Sequence, residues 1–411
     1  MQVAYPRCAG LDVHKKTVVA CVLITQADGT LQREVRTFST MTADLLVLSD
    51  WLETLRVQVV ALESTGVFWQ PVFNLLEDGR TIVLVNPQHI KAVPGRKTDV
   101  KDSEWLADLL RHGLLTPSFI PPAPVRELRE LTRYRKHLVE ARAREVNRVQ
   151  KVLEGANIKL ASVATDVLGK SGRAMLEALI AGEQDPATLA ELARGRMRSK
   201  RPELQRALDG RLLGQHRTLL QHLLAHIDFL DQSIAELEAE IEQCLAPFGR
   251  AVALAQTLPG IAETAATAII AELGTDMSRF ASDKHLASWA GVCPGNKQSG
   301  GKRLSGKTTH GNPYLRAALG EVAWAISHTK DNYLSAQFHR IARRRGKQKA
   351  VVAVAHSVLV ILYHMLREGK PYTDLGPDYF ERLEATQIER YHVRRLEQLG
   401  YTVTLTPAPA A

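Results

Sequence analysis

The sequence predicts an α/β domain followed by an all-α region, and three observations carry that prediction. Strand-like and helix-like runs alternate up to a proline cluster at Pro117, Pro121, Pro122 and Pro124. Beyond it, apolar residues recur at heptad spacing along two long stretches. From Ala251 a compact, helix-rich pattern runs to about residue 370.

The elements follow in order. Residues 7–24 form a strand, a polar turn and a second strand, with Val18, Val19, Val22 and Ile24 supplying β-branched character. Asp28-Gly29 marks the next turn. Leu45, Leu48, Leu52 and Leu55 share one helical stripe over 42–55. VQVVALES is a buried strand ending at Glu63, 67–78 is helical, TIVLVNP is a strand stopped by Pro87, and 99–113 is a helix. In the second region Leu128, Leu131, Leu138, Val146, Val149 and Val152 form a stripe. Leu223, Ile227, Leu230, Ile234, Leu237 and Ile241 form a clearer one. Two helices, 125–155 and 214–246, are expected to pair as a hairpin or to seam another subunit. Between them lies a polar, helix-prone insert carrying Arg194, Arg196, Arg198, Lys200 and Arg201. Pro247 ends the coil. The predicted domains are 1–122, 123–250, 251–370 and a peripheral tail, 371–411, whose end TPAPAA has a disordered composition.

A chain of 411 residues exceeds the roughly 250–300 at which a single core stops growing. Lys and Arg number 53 against 44 Asp and Glu, for a net charge of +9, which permits nucleic-acid binding without requiring it. Cys8, Cys21, Cys244 and Cys293 lie far apart, which argues against a zinc site and a disulfide scaffold and fits a reducing, cytoplasmic setting. The N-terminus lacks the apolar run of a signal peptide. The most apolar tract, Val351 to Met365, is interrupted by His356, Ser357 and His364 and is too short to span a bilayer, so no membrane partner is expected.

Four acids stand out by position: Asp12 mid-strand in AGLDVHKKT, Glu63 at a strand end in VALESTG, and Asp99 and Asp102 in KTDVKDSEWLADLL. The last two are spaced i, i+3 and would share one helix face. An unpaired acid in an apolar strand is costly. A divalent cation such as Mg²⁺ removes that cost, because it takes hard oxygen ligands. Two such ions about 4 Å apart serve phosphoryl transfer. Taken singly, each acid has an ordinary reading: Asp99 a helix N-terminal charge, Asp102 a surface acid, Glu63 part of a strand-end turn. Their order is more telling, being typical of ribonuclease-H-like nucleases and integrases.

The second dense stretch is LASWAGVCPGNKQSGGKRLSGKTTHGNPYLRAAL. In it Ser299 stands beside Gly300, Gly301, Lys302 and Arg303, a hydroxyl next to glycines that admit a phosphate and cations that hold it. The serine has the chemistry to attack a DNA phosphate; the plainer alternative is a glycine loop that only grips the backbone. Ser305 is the rival nucleophile, and His310 is a proton shuttle or a loop residue. Upstream, LPGIAETAATAIIAELG has a helix-hairpin-helix pattern. Downstream, Arg343, Arg344, Arg345 and Lys347 belong to a run suited to a phosphate track or to a solvated helix end.

Together GLDVHKKT, ALESTG, VNPQHIKAVPGRKTDVKDSEWLADLL, LPGIAETAATAIIAELG and SGGKRLSGKTTHGNPYLRAAL resemble, in order and across roughly residues 7–370, one family. It is the insertion-sequence transposases with a RuvC-like DEDD N-terminal domain and a C-terminal catalytic-serine domain, the group that includes the invertase Piv and bridge-RNA-guided recombinases. The resemblance implies a RuvC/ribonuclease-H-like domain, a coiled-coil linker and a compact α-rich domain. It places the metal-binding tetrad on Asp12, Glu63, Asp99 and Asp102, with Mg²⁺ or Mn²⁺, and the catalytic serine on Ser299. It implies as partners the element's ends and target DNA, a structured guide RNA in some members, and further copies of the chain as a dimer or tetramer. One protomer's carboxylates would then work with another's serine. It also implies residence at the nucleoid during activity. Members often carry a second serine where this chain has Gln298. Two other readings stay open: a hydrolytic RuvC-like junction nuclease, and a non-enzymatic DNA-binding architectural protein.

Overall fold

The structure is a computed structural model that describes residues 2–64, 66–86, 102–295 and 297–405. The chain divides into two compact units, Met1–Ile120 and Pro121–Ala411.

The first unit is the expected α/β fold. Its sheet has five strands: β1 (Arg7–Val13), β2 (Thr17–Thr25), β3 (Leu31–Ser39), β4 (Val59–Glu63) and β5 (Thr81–Val85), in the order β3-β2-β1-β4-β5. The first three form an antiparallel meander, and β4 and β5 run parallel to β1. Strand β3 escapes the sequence reading because its residues, LQREVRTFS, are mostly exposed and include Arg33, Glu34 and Arg36, as befits an edge strand. Pleating divides the side chains between two layers. Ala9, Leu11, Val13, Val18, Ala20, Val60 and Leu62 pack under α1 (Thr42–Thr54) and α2 (Trp69–Leu76). Cys8, Cys21, Leu23 and Ala61 pack under α3 (Asp102–Arg111), through Ala107 and Leu110. After α3, the Ser118 N–H donates to the Leu84 carbonyl (2.7 Å), returning the chain to the β5 edge.

The second unit begins with α4 (Ala123–Gly155) and returns along α9 (Gly214–Leu245). The heptad stripes meet each other, so the two helices form an antiparallel hairpin within one chain. Arg142 pairs with Asp231 and Arg135 with Glu238 across the seam. The insert is better ordered than its polar composition suggests. It folds into α5 (Leu160–Val163), α6 (Lys170–Ala181), α7 (Pro186–Glu191) and α8 (Arg201–Leu208), with a 3₁₀ turn at Gly195–Lys200. Met175, Leu176, Leu179, Leu189, Leu204 and Leu208 share one core with Val149, Leu153, Leu220 and Leu224 of the hairpin.

The remainder comprises α10 (Gly249–Gln256), α11 (Glu263–Leu273), α12 (Asp283–Trp289), strands β6 (Lys297–Ser299) and β7 (Lys302–Ser305), α13 (Pro313–Ile326), α14 (Tyr333–Arg345), α15 (Lys347–Glu368) and α16 (Tyr379–Gln398). The apolar tract read as too short to span a bilayer lies within a helix of 22 residues, long and apolar enough to do so by length and composition. In this fold α15 packs against α10, α12, α13 and α14, burying Val354, Val358, Leu359 and Leu362. The tail read as peripheral contains a helix, α16, whose Phe380 stacks on Tyr333 at 5.2 Å. Residues 406–411 of the TPAPAA end lie outside the described residues.

Candidate carboxylate edge and serine hairpin

In the first unit the acids are placed by strand register. Leu11 pairs with Leu62 across the parallel β1–β4 ladder, so Asp12 and Glu63 are each one residue further along. Period-two alternation puts Asp12 on the face of Cys8 and Gly10, and Glu63 on the face of Val59 and Ala61, which is the face covered by α3. Asp102 is the first residue of α3. Three of the four predicted acids therefore belong to one end and one face of the sheet. Asp99 lies outside the described residues.

Gly10 sets the height of α3. A Cβ there would stand 2.3 Å from the Ser103 carbonyl oxygen and 2.4 Å from the Ala107 nitrogen, so the helix backbone rests directly on β1 beside Asp12. A glycine inside an apolar strand is the sequence sign of such an approach, and AGLD contained it. The Asp12 carboxylate is partly exposed and hydrogen-bonds His14 Nε2 at 3.1 Å. The neighbouring acid Glu104 is engaged differently, by Arg33 at 2.8 Å. The donor chemistry of Asp12, Glu63 and Asp102 suits a hard divalent cation. Among the described residues no three His, Cys, Asp or Glu side chains are gathered tightly enough to hold a metal ion.

The serine segment in the second unit is a β-hairpin. Ser299 pairs with Lys302, and Gly300 and Gly301 close the turn with φ of 55° and 74°. Positive φ at both central residues is the requirement of a type I′ turn, which is why two glycines stand there. No atom lies within 4 Å of a Cβ built at either glycine, so their role is conformational. Ser299 is the last β6 residue before the tip; Lys302 is exposed, and Arg303 follows it on β7. Ser305 is engaged otherwise, its Oγ accepting from the Lys307 N–H at 3.1 Å.

Other glycines fix the base of this hairpin. A Cβ at Gly311 would lie 2.3 Å from the Ala290 carbonyl oxygen, and one at Gly295 2.1 Å from that of Lys307. Arg316 holds the strap between them by donating to the carbonyls of Thr309 (3.2 Å) and His310 (2.9 Å). The predicted helix-hairpin-helix is α10, a turn with Gly260 at φ 82°, and α11. The Cα face of Gly260 packs on α13, where a Cβ would meet Ile326 Cγ1 at 2.7 Å. Arg343, Arg344, Arg345 and Lys347 are exposed where α14 turns into α15.

One residue that sequence reasoning missed organises the unit. Glu272 in α11 is 2% exposed. Arg133 of α4 grips it with both arms, Nε at 2.7 Å and Nη2 at 2.8 Å. Arg129 Nε approaches at 3.3 Å, and Asn312 Nδ2 donates at 2.6 Å. Burial pulls the Arg129 guanidinium down to about 10, against the opposing pull of Glu272. In the sequence Glu272 is one acid in an apolar helix, and nothing local announces its partners.

Comparison with known proteins matches two separate spans, one around each candidate site. A transposase family model of the IS110 DEDD type matches residues 9–158, and one described as Transposase IS116/IS110/IS902 family matches residues 252–340. The first span holds Asp12, Glu63 and Asp102, and the second Ser299. The chain is 30% identical over 146 residues to the pilin gene-inverting protein of Moraxella bovis, covering 34% of this chain and 45% of that protein. It is 27% identical over 379 residues to the insertion element IS116 uncharacterized 44.8 kDa protein of Streptomyces clavuligerus, covering 80% of this chain and 90% of that one. Among solved structures, Thermus thermophilus RuvC aligns at a TM-score of 0.22 and 13% identity, covering 27% of this chain and 99% of that chain.

Proposed function

From the premise that this chain belongs to the IS116/IS110/IS902 family of transposases, we propose that it cuts and rejoins the DNA strands of its own insertion sequence through a covalent serine intermediate. The observation that carries the reading is the pair of placements described above. Asp12, Glu63 and Asp102 belong to one end and face of the sheet, and Ser299 stands at the tip of a hairpin beside Lys302.

Asp12, Glu63 and Asp102, with Asp99, are the residues that would hold Mg²⁺ or Mn²⁺. Such ions neutralise phosphate charge and favour displacement at phosphorus. The Ser299 hydroxyl attacks the scissile phosphorus. The new Oγ–P bond replaces the P–O3′ bond, and the 3′ oxygen departs as a hydroxyl with the proton that the serine gives up. Attack by the 3′ hydroxyl of the exchanged strand reverses these steps, seals the DNA and frees the serine. The bond count is conserved, so no external energy source is required. Lys302 and Arg303 hold the phosphate oxygens. The exposed Arg343, Arg344, Arg345 and Lys347 bind backbone phosphates further along. The working form is a homo-oligomer on the element's ends and target DNA, with a structured RNA from the element's flank as guide. Residues 251–370 act as the serine-bearing module.

The test is a trapping assay with full-length protein, Mg²⁺, labelled element-junction DNA and the flanking RNA, resolved on denaturing gels. The expected result is a covalent adduct lost in Ser299→Ala and in Asp12→Ala, with DNA binding retained in both. Metal-dependent cutting that persists in Ser299→Ala without an adduct would replace this reading with a hydrolytic nuclease. Binding with no cutting at all would leave an architectural protein.

A further inference from the structure

The contacts of Glu272 extend to both ends of the second unit's working parts. Through Arg133 and Arg129 it is fixed to α4, the first arm of the helical hairpin. Arg129 also donates to the carbonyls of Ala271 (3.1 Å) and Glu272 itself (2.5 Å). Through Asn312 it is fixed to the start of α13, because Asn312 uses its other end to cap that helix, its Oδ1 accepting from the N–H groups of Tyr314 (3.0 Å) and Leu315 (3.2 Å). Tyr314 returns to α4: the Arg133 guanidinium lies 4.3 Å from its ring centroid, and its hydroxyl is 2.9 Å from His137 Nε2.

Asn312 ends the strap that leads out of the serine hairpin. From Ser305 the chain runs through Gly311, wedged against Ala290, directly into Asn312. Asn312 is thus the point at which that strap, already wedged at Gly311 and held by Arg316 at Thr309 and His310, is joined through Glu272 to α4. A surface ion pair would be a loose tether. A buried carboxylate held by a two-armed arginine and a side-chain amide has a defined geometry instead.

We propose that Glu272 is a positioning residue for the serine hairpin: it fixes the strap at Asn312 to the α4 arm, so that the hairpin bearing Ser299 takes its orientation from the coiled-coil hairpin. This rests on Ser299 being the nucleophile as far as catalysis is concerned, but the mechanical link does not. The DNA phosphate that Ser299 meets must be approached within a fraction of an ångström, and small misplacement costs rate while leaving binding intact.

The variant that isolates the link is Asn312→Ser. Serine is a good N-cap, so α13 keeps its start, while the donor to Glu272 is lost. Glu272→Gln, which keeps shape and removes charge, is the second variant. Three readouts are taken on the full-length protein: melting temperature, affinity for labelled junction DNA, and single-turnover adduct formation with Mg²⁺. Hydrogen exchange over the 297–311 peptide is a fourth, independent of the chemistry. For Asn312→Ser we expect a lowered melting temperature from the lost donor to buried Glu272, unchanged DNA affinity, faster exchange over 297–311, and adduct formation slowed by at least about 10-fold at a temperature where the variant is fully folded. Unchanged exchange and unchanged adduct rate in both variants would overturn the proposal, as would a rate that falls only in step with melting or affinity. Absence of an adduct in the wild-type protein would instead strike the serine reading. The exchange measurement would then decide the link alone, with protection unchanged counting against it.

Discussion

The alpha carbon of Gly10 and the backbone carbonyl of Ser103 are in contact, with no room for a side chain between them: a Cβ on Gly10 would stand 2.3 Å from that oxygen. This contact brings the first turn of α3, and Asp102 with it, down onto the strand that carries Asp12. Gly10→Ala is expected to lift α3 off the sheet and to destabilise the unit by about 1–3 kcal/mol, the usual cost of overpacking. Denaturant unfolding measures the first effect. Metal-dependent adduct formation, reduced beyond what the stability loss explains, measures the second. A variant as stable and active as wild type would show that the helix height does not matter.

The serine hairpin makes a sharper comparison. At Gly300, φ is 55°, a conformation that asparagine tolerates and a β-branched residue does not. Gly300→Asn should therefore retain adduct formation, while Gly300→Val, strained by about 1–2 kcal/mol, should lose most of it. Equal activity of the two would mean that the turn is not needed for the chemistry.

Cys8 and Cys21 lie back to the sheet's α3 face, both fully buried. Burial pushes each thiol up to about 12 from an ordinary 9.0. Folded protein at pH 8 should accept iodoacetamide at Cys244 and Cys293 but not at these two. Because their folded values exceed the unfolded ones, the stability they contribute is present below pH 9 and declines as pH rises toward 12. A urea midpoint that stays flat across that window in wild type would contradict the assignment. So would a slope undiminished in a Cys8→Ala, Cys21→Ala double variant.

The turn between α14 and α15 should report as salt dependence. Arg343, Arg344 and Arg345 are exposed and sit in no ion pair among the described residues. Three cations at the C-terminal end of α14 are favoured by the helix dipole, so folding alone gives them a reason to be there. If they also bind phosphate, their joint replacement by alanine lowers the slope of log K against log salt by up to about 3, near 0.9 per contact. An unchanged slope in a DNA-binding titration would leave them as helix-end charges.

Local pattern determined a large part of this protein. The succession of strands and helices, the position of Asp12 within a strand and of Glu63 at a strand's end, and the two heptad helices were all legible, because periodicity and turn chemistry act over a few residues. Strand β3 was not, since an edge strand with charged residues on both faces has neither alternation nor an apolar run. Tertiary structure alone decided the rest. Register across β1 and β4 put Asp12 and Glu63 on one face. The long helices' stripes met within one chain. Gly300 and Gly301 proved to be turn formers, whereas Gly10 and Gly311 make the close backbone approaches. Glu272 and Arg133 illustrate the reason: their contact joins positions 139 residues apart, and the cost of burying a carboxylate is felt only once the chain has folded around it.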